Sequence, residues 1–259
     1  MKTRLLLLAM LILSFSCRHD NTLSSYETRE FWHHGRKAII VFPKEPDKQK
    51  SWLWRARYWM HEPQTDLALL EKGFHVVYID VSGLYGSPQA VDIWDDFYNY
   101  IVSEYGLNKK AVLLGMSRGG LIVYNWASVN TDKIACIYAD APVLDIKSWP
   151  GGLYGGTGSE EDWQACLEAY GLDQESVMDY ENIPLNNAVR VAQAGIPVIH
   201  VCGMEDRVVP YSENTGKLVP VFKEAGNEMK LILKEGIGHN PHSLEDPAPI
   251  VDFILSNIE

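Results

Sequence analysis

Short apolar runs alternate along this chain with longer stretches whose apolar residues recur at helical spacing. KAIIVF (Lys37 to Phe42), FHVVYIDV (Phe74 to Val81), KAVLLGM (Lys110 to Met116), KIACIYAD (Lys133 to Asp140), PVIHVC (Pro197 to Cys202) and MKLILK (Met229 to Lys234) read as strands. They are rich in Val and Ile and mostly lack strict alternation, the pattern of strands covered on both faces. Between them, Thr65 to Lys72, Val91 to Tyr105, Gly119 to Val129, Thr215 to Ala225 and Pro247 to Ile258 read as helices. Repeated strand and helix units predict an α/β fold: an open, mostly parallel sheet with helices on both faces.

The alternation breaks twice. From Pro43 to Pro63 the chain is polar and proline-punctuated, and crowds Trp52, Trp54 and Trp59 beside Arg55 and Arg57. From Pro142 to Arg190 it carries PGGLYGGTG and then a helical pattern around Glu160 to Tyr170. Open sheets bind ligands outside the carboxyl ends of their strands, where such insertions lie, so residues 142–190 are read as a cap or lid.

The amino-terminal end follows a different logic. Lys2 and Arg4 precede an apolar run from Leu5 to Leu13 that is too short for a membrane span and reads as a secretory signal. Cys17 falls where a bacterial lipoprotein signal places the cysteine that is lipidated. The organisation expected is a signal over 1–16 with Cys17 lipidated, a linker with a candidate first strand over 17–36, and one α/β domain over 37–259. Such a protein crosses the inner membrane and ends as an outer-membrane or periplasmic lipoprotein, touching the membrane only through its anchor.

Composition narrows the partners. A chain of 259 residues with 46% hydrophobic content can bury one sizeable core. Its formal net charge of -11 offers no basic field to phosphates, which argues against nucleic acid. Beyond Cys17, Cys136, Cys166 and Cys202 are too few for a disulfide framework, and no C-x-x-C pair exists. Cys136 and Cys202 sit in apolar runs and read as packed thiols. Adjacent His33 and His34 lack a spaced carboxylate set, so no metal is expected, and nothing requires a cofactor.

The sharpest chemical signal is Gly115-Met116-Ser117-Arg118-Gly119, a G-x-S-x-G turn between a hydrophobic strand and an apolar helix. Small neighbours suit a sharp strand-to-helix turn, so Gly115, Gly119 and Gly120 are expected to make room there. The helix that follows would place its positive amino-terminal end beneath the serine. A serine needs a base. EGIGH places His239 in a glycine-containing loop after the last expected strand, with His242 three residues on as a rival. The acid that orients the imidazole is read as Asp206 in CGMEDRVVP, with Glu205 and Asp140 as rivals.

These motifs together resemble the α/β-hydrolase superfamily, from the strand near Lys37 to the helix ending near Ile258. Ser117, Asp206 and His239 match its nucleophile, acid and base in chain order, and Gly203, Asp206, Val209 and Pro210 resemble its acid loop. The resemblance implies a sheet of about eight strands, acyl transfer to serine and hydrolysis of the acyl-enzyme by water. It implies an oxyanion donor at the Arg118 amide. No HGGG-type sequence follows Phe42, and Trp52 or a neighbour is the expected second donor.

Substrate contacts are expected from Trp54, Arg55 and Trp149, because flat aromatic faces stack on rings and arginines pair with carboxylates. Arg55, Arg57 and Arg118 also raise an acidic substrate, such as a uronate-bearing ester. The expected function is a secreted serine hydrolase of a small-molecule or carbohydrate-linked carboxylic ester. Two rivals stand beside it: a serine peptidase of the same fold, and a non-catalytic glycan-binding lipoprotein.

Overall fold

The computed structural model describes residues 23–258; the apolar leader and Cys17 lie outside the described residues. The strands are β1 (Glu27–His33), β2 (Arg36–Phe42), β3 (Trp52–Arg55), β4 (His75–Ile79), β5 (Ala111–Met116), β6 (Ile134–Asp140), β7 (Val198–Gly203) and β8 (Lys230–Lys234). The helices are α1 (Gln64–Glu71), α2 (Pro88–Tyr105), α3 (Gly119–Ala127), α4 (Glu160–Tyr170), α5 (Pro184–Gln193), α6 (Thr215–Glu224) and α7 (Ala248–Leu255). All eight strands join one sheet in the order β1-β2-β4-β3-β5-β6-β7-β8. The pairs β1–β2 and β2–β4 are antiparallel, and every pair from β4 to β8 is parallel.

The lack of alternation in the central strands follows from double-sided burial. On β5, Ala111 and Leu113 join a core with Trp94 and Phe97 of α2, Trp126 of α3, Val191 of α5 and Phe222 of α6. Val112, Leu114 and Met116 point the other way, to Leu69 and Leu70 of α1 and Ile250 and Ile254 of α7. Helices therefore cover both faces, as the apolar runs required. The edges differ: β1 carries Glu27, Arg29 and Glu30, and β8 carries Lys230 and Lys234, charges that discourage pairing with another chain.

The strand β1 lies within 17–36, the stretch read as a linker with a candidate first strand, and pairs with β2 from Glu27↔Phe42 to His33↔Arg36. Two elements depart from the pattern reading. The four residues of β3 lie between β4 and β5 inside the segment read as an irregular insertion. The segment 142–190 divides in two. Its first part, with α4, forms a cap with its own small core of Ile146, Trp163, Cys166, Leu167, Val177 and Ile183. Its last part begins α5, whose Ala188, Val191 and Ala192 pack on the sheet core.

Tryptophans supply much of that core. Trp54 stacks on Trp94 with ring centroids 4.0 Å apart, on Trp52 at 5.3 Å, and meets Trp126 edge-on at 5.2 Å. Each such ring buries on the order of 150–250 Å² and needs little rotamer freedom to do so. Cys136, Cys166 and Cys202 are free and buried, and burial pushes each thiol up to about 12.

Candidate active site

The chain turns sharply where β5 ends. Ser117 has φ 49, a left-handed conformation that costs a non-glycine residue roughly 1–2 kcal/mol. The turn is fixed from three sides. The Ser117 amide donates to the Asp140 carbonyl at 2.8 Å, and the Ser117 carbonyl accepts from Gly120 and Val143, both at 2.9 Å. Glycine is required most strictly at 120, where a Cβ would stand 2.6 Å from the Pro142 Cβ and 2.8 Å from the Val143 carbonyl oxygen. At Gly119 the same atom would meet only ordinary contacts from 3.4 Å outward, so that glycine is not a steric requirement.

Base and acid arrive on loops from the ends of β8 and β7, and the two loops touch. A Cβ at Gly203 would overlap the Gly238 carbonyl, while the Glu205 amide donates to the Ile237 carbonyl at 2.9 Å. This contact holds Asp206 against His239. His239 Nε2 lies 3.0 Å from Ser117 Oγ, and His239 Nδ1 lies 2.7 Å from Asp206 Oδ2. The other oxygen, Asp206 Oδ1, accepts the Val208 and Val209 amides at 2.8 Å each. The carboxylate is buried and oriented by its own turn, so the imidazole meets a fixed acceptor. Ser117, His239 and Asp206 thus form a continuous relay, while Glu205 points to solvent.

The remaining rivals pair with each other. His242 Nδ1 lies 2.7 Å from Asp140 Oδ1, and Asp140 Oδ2 accepts the Ser243 amide at 2.7 Å and the Tyr138 hydroxyl at 3.1 Å. The His242 ring stands edge-on to that of His239 with centroids 4.7 Å apart. Asp140 therefore grips the serine turn through its carbonyl and the base loop through its carboxylate. Asp140→Ala is expected to lower kcat by about 10²-fold by loosening His239, since a misplacement of about 1 Å costs that much. Steady-state kinetics on protein of verified fold check this, and an unchanged kcat would show that the loop holds its shape alone.

Two backbone donors lie at or close to the nucleophile turn. Neither the Arg118 amide nor the Arg57 amide donates to a backbone acceptor among the described residues. The Arg57 nitrogen would be 3.7 Å from a Cβ at Gly119, the residue that starts α3. Trp52 cannot supply the second donor as the sequence suggested: it lies in β3, paired with β4, fully buried, its indole N–H donating to the Asn108 carbonyl at 2.8 Å. Arg57, two residues past the end of β3, is the candidate in its place.

The expected substrate contacts divide. Trp54 is fully buried in the tryptophan stack and has no exposed face to offer a ligand. Arg55 is also fully buried: its Nη1 binds Asp66 Oδ2 at 2.6 Å, its Nε donates to the Tyr58 carbonyl at 3.0 Å, and its Nη2 donates to the His61 carbonyl. Its work is to hold the loop after β3, where Tyr58, Met60 and Glu62 all have positive φ between 47° and 54°. Trp149 alone of the three stands beside a residue of the serine turn, its ring centroid 5.5 Å from the Arg118 guanidinium carbon. Arg118 itself binds Asp162 Oδ1 of α4 at 2.6 Å, tying the cap to the serine turn.

The Arg55-held loop lines a cleft that the sequence did not resolve residue by residue. Tyr58, Trp59 and His61 face His239, Asn240 and His242 across a space of about 430 Å³. The signal was the aromatic crowding of RARYWMH, which marked the region but not its buried and lining members. Away from this site, the fold brings Asp96 of α2 to 2.7 Å from His33 and 3.4 Å from His34, a carboxylate the linear spacing could not reveal.

Comparison with known proteins adds the fold's relatives. Residues 52–153 match a family model described as the alpha/beta hydrolase fold. No curated protein matches the sequence. Among solved structures, the acylaminoacyl peptidase of Pyrococcus horikoshii is similar at 16% identity and a TM-score of 0.62, over 83% of this chain and 38% of that one. A puromycin-hydrolyzing peptidase of Mycobacterium tuberculosis is similar at 14% identity and a TM-score of 0.65, over 88% of this chain and 38% of that one. A candidate lipase of Acinetobacter baumannii is similar at 14% identity and a TM-score of 0.59, over 90% of this chain and 91% of that one. The chain thus spans well under half the length of the two peptidases.

Proposed function

We propose that this chain, which has the fold of the alpha/beta hydrolases, is a serine hydrolase of peptidase type that cleaves amide bonds in short peptides or aminoacyl compounds. The observation that carries the reaction class is the Ser117–His239–Asp206 relay, with contacts of 3.0 and 2.7 Å. In the reaction Ser117 Oγ attacks the scissile carbonyl while His239 Nε2 takes its proton, and Asp206 offsets the charge that forms on the ring. The Arg118 and Arg57 amides, neither of which donates to a backbone acceptor among the described residues, are the donors assigned to the oxyanion. His239 then protonates the departing amine, and water attacks the acyl-enzyme by the same path in reverse.

The choice of amide rests on two supports. The similar solved structures include named peptidases. The cleft of about 430 Å³ is at the small end for a ligand site, which suits a short segment rather than a folded chain. A second reading, cleavage of an acyl or methyl ester on a carbohydrate, is favoured by the candidate lipase, whose chain is matched almost end to end. Kinetics on a panel of unblocked and N-acylated peptide anilides, set beside acetylated and methyl-esterified sugars, separates the two. Anilide turnover that disappears in Ser117→Ala is expected. Hydrolysis of the sugar esters with every anilide left intact would move the assignment to the ester reading.

A further inference from the structure

The cations around Ser117 are not equally satisfied. Arg55 has Asp66 and Arg118 has Asp162, each at 2.6 Å. Arg57 is half-buried, yet its guanidinium makes no hydrogen bond and no ion pair among the described residues. Its Nε–H is buried without an acceptor, and so is the Nε–H of Arg118. The acid whose charge Arg57 feels, Asp80, already accepts the Ser82 amide at 3.0 Å and the Ser82 hydroxyl at 2.6 Å.

What Arg57 touches instead is aromatic. Its guanidinium carbon stands 4.8 Å from the Tyr58 ring centroid, and that of Arg118 stands 6.0 Å from the same centroid. A ring face attracts a cation but accepts none of the five N–H bonds of a guanidinium. Buried donors of this kind are normally paired, so two of them on arginines that share the Tyr58 ring mark a place for an acceptor that arrives from outside. Position supports this: a Cβ at Gly119, two residues after the nucleophile, would meet the Arg57 Cβ at 3.4 Å. Tyr58 itself lines the cleft before His239.

Resting on the serine-hydrolase reading, we propose that Arg57, with the free Nε edge of Arg118, binds a carboxylate on the substrate, so that the enzyme selects acid-bearing acyl compounds. The planar fork of a guanidinium fits a carboxylate with two parallel N–H···O bonds. A chain of net charge -11 cannot gather anions by its overall field, so selection of an acid has to be local. The carboxylate can sit on the acyl side of the scissile bond or on its leaving side, and the two sources predict different results in one experiment.

Two matched fluorophosphonates, one with a tail ending in a carboxylate and the other in its methyl ester, are reacted with the full chain, and labelling of Ser117 is followed by mass. An acyl-side carboxylate is expected to make the acid probe roughly 10- to 100-fold faster, the range set by a charge-assisted hydrogen bond. That ratio should fall towards one in Arg57→Gln and persist in part in Arg57→Lys. Because the ratio is internal to each protein, partial unfolding lowers both rates and leaves it intact. A leaving-side carboxylate gives no tail preference, but a short free carboxylic acid then slows the neutral probe, its amide does not, and Arg57→Gln abolishes the difference. Ser117 labelled with neither preference nor protection, or a preference that survives Arg57→Gln, overturns the proposal and leaves the hydrolase reading standing. No labelling of wild-type protein by either probe removes both.

Discussion

Ser117→Ala is expected to lower kcat by about a millionfold and to abolish labelling by any fluorophosphonate, while the fold survives. The size follows from the relay. With the nucleophile gone, His239 has no proton to take, and only the oxyanion donors and the bound geometry still favour water's attack, which is the usual residue of activity when a triad member is lost. Survival of the fold follows from the same geometry. The side chain contributes one hydrogen bond, to His239, whereas the turn is held by backbone bonds to Asp140, Gly120 and Val143 that alanine keeps. Losing one such side-chain bond costs about 1 kcal/mol. Alanine also keeps the left-handed strain at φ 49, so circular dichroism and thermal melting should show a protein close to wild type. Turnover within tenfold of wild type in protein free of contaminating hydrolase would mean that another nucleophile acts.

The parts of this site legible in the sequence are those set by local chemistry. A serine between glycines after an apolar run, and an acid and a histidine in turns at later strand ends, are each visible within a few residues. Their convergence follows once the strands are parallel, because parallel strands deliver all their carboxyl ends to one rim of the sheet. What the sequence hid is pairwise and distant. Nothing local distinguishes Arg55, neutralised by Asp66 from α1, from Arg57 two residues later, which has no such partner among the described residues. Alternation along β3 cannot make the distinction either, since β3 is short, central and buried throughout. The tryptophans misled for a related reason: aromatic crowding marks a packed core as readily as a binding mouth, and Trp52 and Trp54 belong to the core. Asp140 and His242 looked like rivals to Asp206 and His239 because strand ends and loops supply the same residue types. The fold resolved that rivalry by joining them to each other across a separation of 102 residues.

Asp206→Asn should be the next most damaging of these changes after loss of the serine, with kcat down about 10⁴-fold, although it changes one atom. The reason lies in how the carboxylate is held. Asp206 Oδ1 accepts the Val208 and Val209 amides, so an asparagine must keep its carbonyl oxygen there and turn its amide group towards His239. Nδ1 of the ring, which donates to Asp206 Oδ2 in the wild type, would then have to accept. The proton moves to Nε2, where it faces Ser117 Oγ, and the ring can no longer act as base. Packing is unchanged, so melting temperature should move little while both turnover and Ser117 labelling collapse together. Asp206→Ala tests the same logic from the other side. It removes the lock on the tautomer, at the cost of leaving the buried Val209 amide and the part-buried Val208 amide without their acceptor, so it should melt earlier than the asparagine variant. Asparagine activity within tenfold of wild type would show that the tautomer of His239 is set elsewhere, and the edge-on ring of His242, gripped by Asp140, would be the place to look.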